Sequence, residues 1–190
     1  MNFEKEIENS IKKSAENILK SIEFSDQIDK SINLIINCYQ NNNKVIIFGN
    51  GGSAADSQHM AAELIGRFKL ERKSLPAIAL TTDSSILTSL GNDYSYDVIF
   101  SRQCESLVSS GDVVIGISTS GNSKNVELAM ITAQKKGAKT IGLLGNNGGN
   151  IKSKSDIPII INSSDTANIQ ESHRVIYHII CELVERELSE

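Results

Sequence analysis

Isoleucines punctuate the first forty residues at helical spacing: Ile7, Ile11, Ile18 and Ile22, then Ile28, Ile32 and Ile35, with Tyr39 after them. Recurrence at three and four residues predicts two amphipathic helices from Asn2 to about Gln40. A break near Phe24-Ser25-Asp26 separates them, with Ser25 or Asp26 capping the second. Beyond the polar loop Asn41-Asn42-Asn43 the pattern changes to short, nearly continuous apolar runs. Val45–Phe48, Ala77–Leu80, Asp112–Ile117, Lys139–Leu144 and Ile157–Ile161 read as strands of a buried parallel sheet. Helical stretches lie between and after them. One runs from Ser53 to about Ile65 and stops at Gly66. Another is capped by Thr81-Thr82-Asp83 and ends near Leu90, before a polar loop Gly91-Asn92-Asp93. Further helices are expected over Val98–Val108, from Ser123 to about Lys136, and from Asn168 to Glu187.

Strands alternating with helices predict a three-layer α/β fold: a doubly wound, five-stranded parallel sheet with the N-terminal helices packed outside it. In the common flavodoxin-like strand order, 2-1-3-4-5, the switch point falls between the first and third strands, and ligands bind there at the carboxyl ends. The glycine-rich turn Gly49–Ser53 and the hydroxyl-rich turn Ser118–Ser123 follow those two strands.

Composition narrows the field. Net charge is −4 and there is no dense Lys/Arg run, so the chain carries no electrostatic footprint for nucleic acid. Cys38, Cys104 and Cys181 are far apart and form no CxxC pair, as expected of reduced thiols in a cytoplasmic protein. The N-terminus is charged from its start, and no apolar run reaches membrane-spanning length. Without a linker or repeat, residues 1–190 read as one domain.

Two turns and two helices hold the candidate chemistry. Gly49-Asn50-Gly51-Gly52-Ser53 lacks the third glycine of a dinucleotide fingerprint and the GK[ST] step of a P-loop. It remains a turn whose backbone N–H groups suit an anion. His59 and Glu63, four residues apart, share a helix face, either as a solvated pair or as metal or acid–base partners. Ser118-Thr119-Ser120-Gly121-Asn122-Ser123 offers hydroxyl and backbone donors to a phosphate, where the plainer reading is a helix cap. The last helix carries Gln170, Glu171, His173, Arg174 and His178 on an otherwise apolar segment, and the pattern does not choose between the two histidines.

The segments FGNGGSAADSQHMAAEL, GRF, SLPAIALTTD, ILTSLGNDY, GDVVIGISTSGNS and IQESH, in this order across nearly the whole chain, resemble the phosphoheptose isomerases of the sugar-isomerase (SIS) fold. The resemblance implies a cytoplasmic homotetramer, with residues 1–43 used in oligomer packing, and one zinc per subunit. It implies conversion of D-sedoheptulose 7-phosphate to D-glycero-D-manno-heptose 7-phosphate, the first step towards activated heptose for lipopolysaccharide or other surface glycans. Carried over by position, His59, Glu63, Gln170 and His178 are the expected zinc ligands. Ser118, Thr119, Ser120 and Ser123 would face the phosphate, and Asn50, Gly51, Gly52, Asn92 and Asp93 the sugar, with Glu63 and Gln170 also touching substrate. Arg67 is a further polar contact. Glu63 is expected to move the carbon-bound proton and His178 to act as the complementary acid–base group.

Eight helical residues separate Gln170 from His178, about 12 Å along the axis and about 80° around it. One metal can then hold both only if the helix begins after Gln170 or the ligands come from different subunits. Two other functions compete. A non-catalytic SIS protein that binds a replication initiator or senses a sugar phosphate would lack the acid–base pair that Glu63 and His178 supply. An isomerase of hexosamine or arabinose phosphates fits less well, because there is no second SIS domain and the HxxxE pair is present.

Overall fold

The computed structural model describes residues 2–189. Helices α1 (Glu4–Lys20) and α2 (Ser25–Gln40) precede a parallel sheet of β1 (Val45–Gly49), β2 (Ala77–Ala79), β3 (Val113–Ser118), β4 (Lys139–Gly145) and β5 (Ile157–Ile161). Between strands run α3 (Gly52–Ile65), α4 (Ser84–Asp93), α5 (Ser101–Leu107) and α6 (Lys124–Lys135), and α7 (Thr166–Leu188) ends the chain. The strand order is β2-β1-β3-β4-β5, as expected, so the switch point lies between β1 and β3.

Every side chain of β1 and β3 is buried, which is why these strands read as continuous apolar runs. Alternate residues feed opposite cores. Val45, Ile47, Ile115 and Ile117 pack with Ile35, Met60, Leu64, Ile176 and Ile180, on the face covered by α2, α3 and α7. Ile46, Phe48 and Val114 pack with Phe100, Cys104, Val126 and Met130 on the face of α5 and α6, where Phe48 and Phe100 stack at 5.2 Å. Burial pushes the Cys38 thiol up to about 11 and those of Cys104 and Cys181 to about 12, so all three stay protonated and unreactive.

Several expected boundaries move. Neither Ser25 nor Asp26 caps α2: a 3₁₀ turn, Ser21–Phe24, joins it almost continuously to α1, and the Ser25 hydroxyl donates back to the Ile22 carbonyl. Gly91-Asn92-Asp93 is not a loop but the last turn of α4, whose start is capped by Asp83 as expected. Val98–Val108 divides into a 3₁₀ turn, Tyr96–Val98, and α5. Helix α7 begins at Thr166, because the Asp165 carboxylate accepts from the N–H groups of Ala167 and Asn168. Gln170 therefore lies inside the helix, and a late helix start cannot bring it to His178.

At its far end α7 anchors the chain that leaves α3. The Glu185 carboxylate, 1% exposed, accepts from the backbone N–H groups of Phe68, Lys69 and Leu70 and faces Arg72 Nε at 3.2 Å. Arg72 in turn donates to the carbonyls of Glu63 and Leu64, the closing turn of α3. Burial works against the charged form of Glu185, but the three backbone donors and Arg72 outweigh it and hold its carboxyl below the usual glutamate range. Its stabilising contribution is therefore complete above that range and disappears as pH falls through the lowered folded value. Glu185→Gln should lower stability by about 3 kcal/mol in urea unfolding near neutral pH. The wild type should lose that advantage over the variant on acidification, narrowing the gap between them.

Candidate active site

Helices α3 and α7 lie side by side and run in the same direction. The pairs Asp56–Arg174 and His59–Tyr177 advance together along both, and Phe68–Glu185 continues the series on the segment that leaves α3. Asp56 sets this register. Its carboxylate is 1% exposed and accepts from Arg174 at 2.9 Å and from the Tyr177 hydroxyl at 3.3 Å. A buried charge without such partners would cost several kcal/mol, so α7 is held at one rotation against α3.

That rotation turns His178 towards His59 and Glu63. His59 Nε2 stands 2.9 Å from Glu63 Oε1 and 3.4 Å from His178 Nε2, while His59 Nδ1 lies 3.2 Å from the Tyr177 hydroxyl. Burial first, and then the Asp56 charge, push the Tyr177 phenol up to about 12, so it keeps its proton. With that proton donated to Asp56, the Tyr177 oxygen accepts from His59 Nδ1–H. In that tautomer the Nε2 lone pair of His59 is available to a cation shared with Glu63 and His178, whereas in the other tautomer Nε2–H donates to Glu63 Oε1. Burial, then neighbouring His59, hold His178 below the ordinary histidine range and keep it neutral near pH 7.

A nitrogen lone pair, a carboxylate oxygen and a second imidazole, all within 4.8 Å of one another, form a possible metal-binding group. The donor set fits a cation. Tetrahedral zinc with Zn–N bonds of about 2.0–2.1 Å requires an edge of about 3.3–3.4 Å between ligand nitrogens. The two imidazole nitrogens already stand 3.4 Å apart. His173, the other candidate on α7, is elsewhere: it is fully buried, its Nε2 donates to the Leu144 carbonyl, and burial takes it down to about 4. Gln170 does not join the cluster within one chain. Its amide covers Gly52, where a Cβ would collide with it, and Gly52 is about 10 Å along α3 from His59.

A second constellation sits at the switch point. Gly51 enters α3 with φ 57°, a backbone that favours glycine although space around it is open. The Ser118 hydroxyl lies 3.0 Å from that of Ser123 and 3.4 Å from that of Ser120, which accepts from Asn122 N–H. Ser123 is at the N-cap position of α6, yet its hydroxyl makes no cap bond; it turns to the other serines. Thr119 contributes its carbonyl to Asn146. Asn50 pairs with Asn125 and accepts from Tyr96, whereas Asn92 and Asp93 bond to each other on the exposed end of α4. Arg67 is exposed and pairs loosely with Glu71 at 3.6 Å. A cleft of about 900 Å³ runs from Ser120 and Asn122 of the serine turn to Lys13, Lys20 and Asp165, and no histidine lines it.

Sequence reasoning missed Asp56, Tyr177 and Asn125. Asp56 stands one turn before His59 on the same helix and was detectable by spacing. Tyr177 hides in an apolar stripe, and Asn125 follows two polar residues at the start of α6.

Residues 8–145 match the SIS domain. The phosphoheptose isomerase of Citrifermentans bemidjiense is 59% identical over 87% of this chain and 86% of its own length. That of Clostridium acetobutylicum is 52% identical over 98% and 94% respectively. The solved structure of the phosphoheptose isomerase from Neisseria gonorrhoeae superposes with a TM-score of 0.92 at 36% identity, covering 97% of this chain and all of that one.

Tyr177→Phe should break the link from Asp56 to His59 while leaving the fold in place. We expect zinc affinity, measured by competition with a chromogenic chelator, to fall about tenfold or more.

Proposed function

The chain belongs to the SIS-domain family and, within it, to the phosphoheptose isomerases, and from that premise we propose that it interconverts D-sedoheptulose 7-phosphate and D-glycero-D-manno-heptose 7-phosphate. The observation that carries this reading is the convergence of Glu63, His59 and His178 on one surface. A sugar-binding SIS protein has no need of a carboxylate and two imidazoles so arranged, so the enzyme is favoured over the sensing or initiator-binding alternative. The product would feed activated-heptose synthesis in the cytoplasm.

Isomerisation removes a proton from C1 of the ketose, forms an enediol, and returns a proton to C2, while a second proton passes between the two oxygens. Glu63 is the base. Its Oε1 faces His59, and no described group bonds Oε2, so one oxygen can help hold a cation while the other handles the carbon proton. His178, neutral at working pH, shuttles the oxygen-bound proton. His59, Glu63 and His178 would hold zinc, with Gln170 as the fourth ligand if it comes from another subunit. Zinc bound there would polarise the substrate carbonyl and hold developing negative charge. Ser118, Thr119, Ser120 and Ser123 would bind the phosphate, and Asn50, Gly51, Gly52, Asn92 and Asp93 the sugar chain.

A homotetramer with shared sites is part of this proposal. His59 is 39% exposed, and an enediol needs shelter from water that the open face of α3 and α7 does not supply alone. Helices α1 and α4 carry no buried side chain and leave Ile7, Ile11 and Ile86 in solvent, and Ile22 and Tyr94, just beyond their ends, are exposed as well. Covering these helices with further copies would bury that surface and close the site. In this proposal the whole chain acts as one SIS domain.

Glu63→Gln should fold normally and turn over sedoheptulose 7-phosphate at least about 10²-fold more slowly, judged by heptose formation in a coupled assay. A strong chelator should suppress wild-type turnover, and added zinc should restore it. No aldose product from the zinc-loaded wild type would return the balance to a binding protein.

A further inference from the structure

The pairing of Asn50 with Asn125 fixes more than position. Asn125 is 3% exposed, and its Oδ1 accepts from the Val126 backbone N–H at 2.9 Å. That bond decides the carboxamide orientation, because only the oxygen can accept. Nδ2 of Asn125 then faces Asn50 and donates to its Oδ1 at 3.0 Å, and Asn50 Nδ2 donates back to Asn125 Oδ1 at 2.9 Å. Tyr96 fills the remaining acceptor site on Asn50, its hydroxyl donating to Oδ1 at 3.1 Å. The oxygen of Asn50 is thus fully occupied, and one N–H of its amide is left over.

We propose that Asn125 is a positioning residue that locks Asn50 as a donor, so that this wall of the site recognises an acceptor oxygen of the sugar phosphate and turns away a hydroxyl presenting its proton. The inference deepens the isomerase reading and rests on it only for the identity of the ligand. Asn50 directly follows β1, and the serine turn begins at the last residue of its neighbour β3, so the free N–H faces the sugar chain close to its phosphate. An Asn50 free to flip would also present its oxygen, which repels a phosphate or ester oxygen. The signal comes from one buried backbone N–H, at Val126, relayed through two amides to the ligand.

A double-mutant cycle tests this. In a Glu63→Gln background, which keeps substrate unconverted, Asn50→Ala, Asn125→Ser and the pair are titrated calorimetrically with D-sedoheptulose 7-phosphate and with inorganic phosphate. Each single change should weaken binding about tenfold for at least one probe, and the double variant should bind no more weakly than Asn50→Ala alone. Circular dichroism of Asn125→Ser, expected to match the parent, shows that a loss of binding comes with the fold intact. Unchanged binding on Asn125→Ser, or effects that add in the double variant for both probes, would overturn the proposal. If the parent binds phosphate but not the heptulose phosphate, the substrate reading fails while coupling with phosphate still decides the role of Asn125. A parent that binds neither removes Asn50 as a ligand donor and the proposal with it.

Discussion

Asp56 is a carboxylate withdrawn from water, and the candidate site depends on how that charge is compensated. Arg174 and Tyr177 are its partners, and both come from α7, nearly 120 residues away in the chain. Because a lone buried charge is so costly, the two helices have one favourable register. Everything functional on α7 inherits its place from that register. Tyr177 reaches His59, His178 reaches both His59 and Glu63, and Glu185 anchors the segment leaving α3.

The same register separates the site into two ends. Gln170 sits over the start of α3, beside the glycine turn, and the His/Glu cluster lies two to three helical turns further on. Asn50, Asn125 and the serine turn gather at the first end, where the parallel sheet delivers two loops to one crevice. A polar chain with a phosphate at one terminus and a carbonyl at the other has complementary chemistry. In the proposed homotetramer, sharing between subunits would reconcile the spread of these groups with a single reaction centre.

Much of this was legible in the sequence. Buried parallel strands leave apolar runs that need no partner to be recognised, and their alternation with helices restricts the order to a few choices. His59 and Glu63 announced themselves by i,i+4 spacing, which is a local signal. The choice between His173 and His178 was not local. It depends on which face of α7 meets Asp56, and no periodicity within α7 records that. Gly91-Asn92-Asp93 misled for a related reason: its composition is that of a turn, but the backbone there simply continues α4. Asn125 was hidden because a polar residue at a helix start has an ordinary capping explanation, and only the reciprocal amide bonds reveal its second role.

The central claim is that the α3–α7 pair moves a proton between adjacent carbons through Glu63. Turnover of sedoheptulose 7-phosphate in deuterated water, followed by NMR of the product, tests it most directly. The account predicts solvent deuterium at C2 of the heptose phosphate, because the abstracted proton passes through a partly exposed carboxylate. Product formed at the normal rate by the Glu63→Gln variant, or wild-type product free of deuterium at C2, would contradict it.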